Sequence, residues 1–182
     1  VEEINGTVQP GRFLNAKDLG RQEEGANFQM VLIDDITNEI VVPNGTMGER
    51  HTNPQKWNLR LENRDTGAKI DPRLSVFDQR EDVTVVKLPY FGDEEHEGVI
   101  ERAIPTITVQ TVDGPVKVTT VYDLILANYG IDRGIGGEVA KAYTDDTPYT
   151  PTWQEKITGV KADIAIATAR EFADNAEKTK GR

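Results

Sequence analysis

With 182 residues, 37% hydrophobic and 7% aromatic, and a mean hydropathy of −0.53, the chain is long enough for one domain with a lean core wrapped in polar loop. Its 21 basic and 31 acidic side chains leave a net charge of −10, which argues against nucleic acid as a partner, because phosphate binding needs a cationic face to release counterions. The absence of cysteine excludes disulfides, thiolate zinc sites, iron–sulfur ligation and cysteine nucleophiles within these residues.

In chain order, Asn5-Gly6 and Pro10-Gly11 are turn signals, and Phe13-Leu14 lies in a run that could be helical. Neither a membrane-length apolar run nor a basic, apolar leader is present, so a soluble piece without its own export signal is expected. The triplets Asn5-Gly6-Thr7 and Asn44-Gly45-Thr46 match the glycosylation pattern but are read as turns. Phe28 to Ile33 and Glu39 to Val42 read as two strands of a hairpin joined by Asp34 to Asn38. From Pro43 to Arg73 a surface excursion is expected, with Trp57, Leu59 and Leu61 on one face of a short strand.

Leu74 to Phe77 and Val83 to Leu88 suggest a second hairpin, followed by an acidic loop from Pro89 to Gly98. Ile104 to Val112 is a strand with Pro105 near its start, where a ladder donor can be spared, and Asp113-Gly114 turns it back into Val116 to Val118. Thr120 to Asp123 resembles a capping box with Asp in place of Glu. It opens a helix whose apolar face is Val121, Leu124, Ile125 and Asn128 or Tyr129, stopped by Gly130. Gly134 to Gly137 forms a flexible connector.

The clearest local signal is Tyr149 to Lys180. Thr150 is an N-cap, Pro151 fits the first helical position, and Gly159 ends that helix. Beyond it Ala162, Ala165, Ile166, Ala169, Phe172, Ala173 and Ala176 recur at helical spacing, with Lys161, Thr168, Glu171, Asp174, Asn175 and Lys178 mostly around the other side. The fold class is therefore α+β: β-hairpins in the first two thirds, residues 1–118, and helices in the C-terminal third, residues 119–182.

Candidate chemistry is sparse. Asp93-Glu94-Glu95-His96-Glu97 could bind a metal, yet the other histidine, His51, is far away and no paired-histidine spacing exists, so a solvated charge run is preferred. Gly134-Ile135-Gly136-Gly137 follows a helix instead of a strand, which does not suit a phosphate cradle. Asp34-Asp35, Glu81-Asp82 and Asp145-Asp146 read as turn residues, and Trp57 and Trp153 as packing. No catalytic, cofactor-binding or metal-ligating residue is assigned.

Several blocks carry a family resemblance: Pro10-Gly11-Arg12-Phe13-Leu14, Val42-Pro43-Asn44-Gly45, Lys56-Trp57-Asn58-Leu59, Pro89-Tyr90-Phe91-Gly92, Val118 to Leu124, Ala127-Asn128-Tyr129-Gly130, Tyr149 to Val160 and Arg170 to Asn175. In this order they resemble the alpha, catalytic molybdopterin subunit of membrane-bound respiratory nitrate reductases over nearly the whole chain. The Gly134 to Gly137 stretch is more glycine-rich than the family pattern. The resemblance implies an internal piece of a larger molybdopterin oxidoreductase α/β domain. It implies a parent that reduces nitrate to nitrite in anaerobic respiration with quinol-derived electrons. The parent's cofactors would be a molybdenum bis(molybdopterin guanine dinucleotide) and a 4Fe-4S cluster, both held outside this piece. Its partners would be an iron–sulfur beta subunit and a membrane quinol-oxidising subunit, placing it on the cytoplasmic face of the membrane. The piece alone is expected to be inactive and to show an apolar patch around Ala165, Ala169 and Phe172, open to self-association. Two alternatives stand beside this: an acidic module that docks a partner subunit, and a piece of a related nitrite oxidoreductase.

Overall fold

A computed structural model describes residues 1–44, 60–90 and 98–179. Gly45, Thr46, His51, Trp57, Leu59, the charge run Asp93 to Glu97 with His96, and Lys180 to Arg182 lie outside them. The fold is α+β, with small sheets along most of the chain and the α-helices toward its C-terminal end. The chain divides into two compact units, Val1–Asp82 with Pro105–Asp123, and Val83–Ile104 with Leu124–Arg182.

Local turn chemistry builds much of the first unit. Asn5 and Gly6 take positive φ, 53° and 76°, and close a hairpin between β1 (Glu2–Ile4) and β2 (Thr7–Gln9). Asn and Gly are the residues that accept the left-handed conformation such a turn demands. Phe13 and Leu14 are not helical; a 3-10 turn begins just after them at Ala16–Leu19, capped by Asn15, whose side chain accepts from the amides of Lys17 and Asp18. Phe28, expected to open a strand, sits in a second 3-10 turn, Ala26–Phe28. The predicted hairpin does form, in shorter strands: β3 (Leu32–Ile33) pairs antiparallel with β4 (Ile40–Val41). Ala16, Ala26 and Val42 make the small buried cluster here, with Val31 packed against it.

β5 (Pro43–Asn44) pairs antiparallel with β6 (Arg60–Asn63), on which Leu61 is exposed. The second predicted hairpin does not form, because Leu74 to Phe77 is not a strand. The backbone there is satisfied by side chains instead of a ladder. The Val76 amide donates to the Asp123 carboxylate at 2.9 Å, and the Phe77 amide to the Ser75 hydroxyl at 3.1 Å. Buried donors need partners, and a carboxylate supplies one as well as a neighbouring strand does.

The neighbour of β7 (Asp82–Pro89) is β8 (Val99–Thr111), which is longer than expected and carries Pro105 in its middle, not near its start. From Ile107 to Thr111, β8 pairs antiparallel with β9 (Gly114–Val118) within the first unit. Thr111 faces Gly114, so the two-residue turn is Val112-Asp113 and Gly114, at φ 110°, opens the return strand.

In the second unit Val86, Leu88, Tyr90, Ile100, Ala103, Ile104 and Ala127 form the core. Helix α1 (Val121–Asn128) starts from Thr120, whose hydroxyl accepts the Asp123 amide at 3.1 Å. Its buried residues are Asp123 and Ala127, whereas Val121, Ile125 and Tyr129 of the expected apolar face are exposed. The reason lies at Asp123, whose carboxylate is committed to Ser75 and Val76 and turns that side of the helix inward. Gly130 at φ 68° ends α1, with its amide on Ala127 and that of Ile131 on Leu126. Helix α2 (Pro151–Thr158) and helix α3 (Ala162–Thr179) follow, separated by Gly159 at φ 74°.

Candidate functional site

Each paired carboxylate singled out in the sequence has a structural assignment. Asp34, almost wholly enclosed, accepts from the amides of Ile36, Thr37 and Asp71 and from the Thr37 hydroxyl at 2.8 Å. Those donors, the Asp71 amide foremost, pull its pKa below the ordinary value. Asp35 pairs with Arg73 at 2.7 Å. Glu81 accepts the Thr108 amide, and Asp82 pairs with Lys117. Asp145 accepts the amides of Lys141 and Ala142, and Asp146 pairs with Lys156. These carboxylates hold turns and strands together. For Asp34 to act as a general acid the opposite shift, toward neutral pH, would be needed.

The most unusual group in the second unit is Arg102 on β8, which is 0% exposed. Its Nε donates to the Ala127 carbonyl at 3.0 Å, at the C-terminal end of α1, and its Nη1 donates to the Glu138 carbonyl. The Glu138 carboxylate stands 3.8 Å from Nη1 and is itself about half exposed. Nη2 has no partner among the described residues and lies against Gly130, where a Cβ would come within 3.2 Å of it. Burial pushes the guanidinium pKa below its usual value, with Glu138, Tyr149 and Tyr90 opposing that shift. The negative end of the α1 dipole contributes part of the missing countercharge.

Gly137 sits equally close to β8, since a Cβ there would meet the Ala103 amide nitrogen at 3.0 Å. The Gly134 to Gly137 connector is thus held against a strand on one side, with its glycines at φ 71°, 89° and 85° for residues 134, 136 and 137. It follows a helix, and at the start of α2 the Trp153 amide is already taken by the Thr150 hydroxyl.

Tyr90 and Tyr149, which act on Arg102 electrostatically, belong to an aromatic cluster. Trp153 donates its indole N–H to the Tyr90 hydroxyl at 2.9 Å, and Tyr149 lies 5.1 Å from the Trp153 ring and edge-on to Tyr90 at 6.0 Å. Tyr149 takes φ 74°, a costly conformation for a bulky residue, and its hydroxyl donates to the Pro89 carbonyl at 3.1 Å. This confirms packing for Trp153, while Trp57 lies outside the described residues. Sequence reasoning missed Arg102 and Tyr149. The available signal for Arg102 was its apolar setting, between Ile100 and Ala103-Ile104.

In the first unit an open cleft of about 640 Å³ is lined by Lys17, Arg21, Glu23, Asn27 and Val112 among others. Arg21 is already committed to Asp65, at 2.5 and 2.6 Å, and to Glu23 at 2.7 Å. No cluster of three or more His, Asp or Glu able to hold a metal occurs among the described residues, and no described helix is long and apolar enough to cross a membrane.

No protein-family profile matches the chain. Individual relatives do. The nitrate reductase alpha chain of Bacillus subtilis is 43% identical over 182 residues, covering 100% of this chain. The respiratory nitrate reductase 1 alpha chain of Escherichia coli is 40% identical over 195 aligned positions, again covering 100% of this chain. This chain matches an internal segment of nitrate reductase alpha chains. A third relative, the respiratory nitrate reductase alpha chain of Bradyrhizobium, is 45% identical over 164 residues and 88% of this chain. The chain spans only 15%, 16% and 15% of the lengths of these three relatives, so it corresponds to one segment of an alpha chain.

The resemblance to respiratory alpha subunits implies molybdenum pterin and iron–sulfur groups, and this chain lacks the donors for the second. A 4Fe-4S cluster requires thiolates, and the chain has no cysteine. The glycine connector is packed on Ala103, and Arg102 is spent on the Ala127 and Glu138 carbonyls.

Proposed function

We propose that these residues are a structural segment, single and continuous from 1 to 182, of the catalytic subunit of a molybdenum-dependent respiratory nitrate reductase. The observation that carries this is similarity over 88 to 100% of the chain, at 38 to 45% identity, to proteins named as nitrate reductase alpha chains or subunits in four genera. The whole subunit would reduce nitrate to nitrite with quinol-derived electrons delivered through an iron–sulfur beta subunit and a membrane subunit, which also hold it at the membrane. Bound elsewhere in the subunit, the molybdenum cofactor would supply oxygen-atom transfer.

The contribution of residues 1–182 is architectural. A hairpin-rich stretch, 1–118, and a helical stretch, 119–182, support the larger molybdopterin-binding domain and form part of the subunit's surface. Arg102 fits that role, because it ties β8, the end of α1 and the Glu138 carbonyl together without leaving a guanidinium free for substrate.

The test is an assay of nitrite formation from nitrate with reduced viologen as donor, run on the 182-residue chain and on the whole gene product containing it. Turnover is expected from the whole product alone. Turnover by the isolated chain would overturn the reading.

A further inference from the structure

Helix α3 carries an apolar stripe that is only partly covered. At 100° per residue, Ala162, Ala165, Ile166, Ala169, Phe172, Ala173 and Ala176 fall within an arc of about 120°. At the end that packs near α2, Ala162, Ala165 and Ile166 are half-buried. Past Ile166 the cover runs out: Ala169, Ala173 and Ala176 are exposed, and Phe172 is 77% exposed. Among the exposed large apolar side chains of the described residues Phe172 is the most open to water, and it stands on a continuous apolar stripe.

We propose that the Ala169 to Ala176 half of this stripe is a docking face for an apolar segment of the same alpha polypeptide, lying outside residues 1–182, with Phe172 as its anchor. The proposal rests on the reading of this chain as part of a longer alpha subunit. Two observations select that occupant over a second copy of the chain. First, the open half of the stripe is small. Eight residues rise about 12 Å, and a strip about 10 Å wide covers on the order of 100–200 Å² per side, well below the roughly 600 Å² per partner that a stable association between separate molecules buries. A segment tethered in the same polypeptide needs no such area, because its effective concentration is in the millimolar range. Second, the relatives have the chain to supply it, since this sequence spans only 15% of their length.

The stripe also sets the occupant's shape. Alanines permit close approach of the two backbones, within about 8 Å, so the partner surface must be flat and apolar with one recess opposite Phe172. The far side of α3, with Arg170, Glu171, Asp174 and Lys178, stays in water.

The experiment is amide hydrogen exchange of residues 168–179 in two proteins, the 182-residue chain at two concentrations tenfold apart and the whole gene product. Each is run with and without Phe172→Asp, and nitrite formation is measured on the whole product in parallel. In the isolated chain, exchange is expected to be fast and independent of concentration, and Phe172→Asp is expected to leave it unchanged. In the whole product it should slow at least about tenfold, and Phe172→Asp should reverse most of that protection. Protection that grows with concentration in the isolated chain would make a second copy the occupant and overturn the proposal. Equally fast exchange in a whole product that forms nitrite would overturn it while leaving the nitrate reductase reading intact. Lack of nitrite formation by a metal-loaded whole product would instead count against that reading.

Discussion

A guanidinium sealed from water, with carbonyls on two of its nitrogens and a half-exposed carboxylate 3.8 Å away, is an expensive feature unless it fixes something. Arg102 fixes the end of α1 and the Glu138 backbone to β8. Removing it leaves a cavity and takes the guanidinium from the Glu138 carbonyl and from the Ala127 carbonyl, which keeps only the Gly130 amide, so Arg102→Ala should cost about 3 kcal/mol in urea unfolding, with Arg102→Met recovering part through packing. Glu138→Gln should move stability by less than about 1 kcal/mol, because that carboxylate is in contact with solvent. Gly130→Ala should cost about 1–2 kcal/mol, since its φ of 68° disfavours a side chain and the added Cβ would press on Nη2.

Acid sensitivity is a residue-scale property as well. Asp18, chiefly through the Arg12 guanidinium, and Asp34, chiefly through the Asp71 amide, both have pKa values drawn below 3.8. A depressed carboxylate stabilises the fold fully above its ordinary value, and that contribution disappears as the pH falls through the depressed one. The urea midpoint should therefore fall below about pH 4, and Asp34→Asn should lower the midpoint at pH 7 while flattening the acid-side slope. An unchanged slope in that variant would contradict the assignment.

Elements whose signals are local were legible in the sequence, and those whose partners are distant were not. Thr150, Pro151 and Gly159 act on backbone groups a few residues away, and α2 begins and ends where they place it. Thr150→Ala should cost about 1 kcal/mol, because the Trp153 amide loses its acceptor, and Thr150→Ser should restore it. Asn5-Gly6 and Thr120 are readable for the same reason. Leu74 to Phe77 has strand-like composition, but its Val76 amide and Ser75 hydroxyl are taken by Asp123 from some 47 residues away, which no window of neighbours reveals. The same carboxylate turned the buried side of α1 away from its apolar residues. β8 reached back to Val99 because Arg102, charged and seemingly superficial, is in fact interior. As for the candidate site, the sequence supplied the family resemblance and the idle carboxylate pairs, whereas the Arg102 and Tyr149 arrangement came from long-range packing alone.

At the scale of the molecule, the charge, the helical stripe and the relatives converge. A chain with a net charge of −10 and no cysteine carries none of the ligands for redox chemistry through thiolates, yet it matches alpha chains of nitrate reductases from end to end over 15% of their length. On the proposed reading, catalysis lies elsewhere in a longer polypeptide and these residues support it. Substitutions such as Arg102→Ala, made in the whole gene product, should then lower the yield of folded enzyme while leaving turnover per bound molybdenum within about twofold. The measurement that tests this account most directly is nitrite formation by the native gene product containing this sequence, purified with its metal intact and supplied with nitrate and reduced viologen. The account predicts nitrite from a polypeptide several times longer than this chain; a native product of this length, or a longer one that loads metal and forms no nitrite, would contradict it.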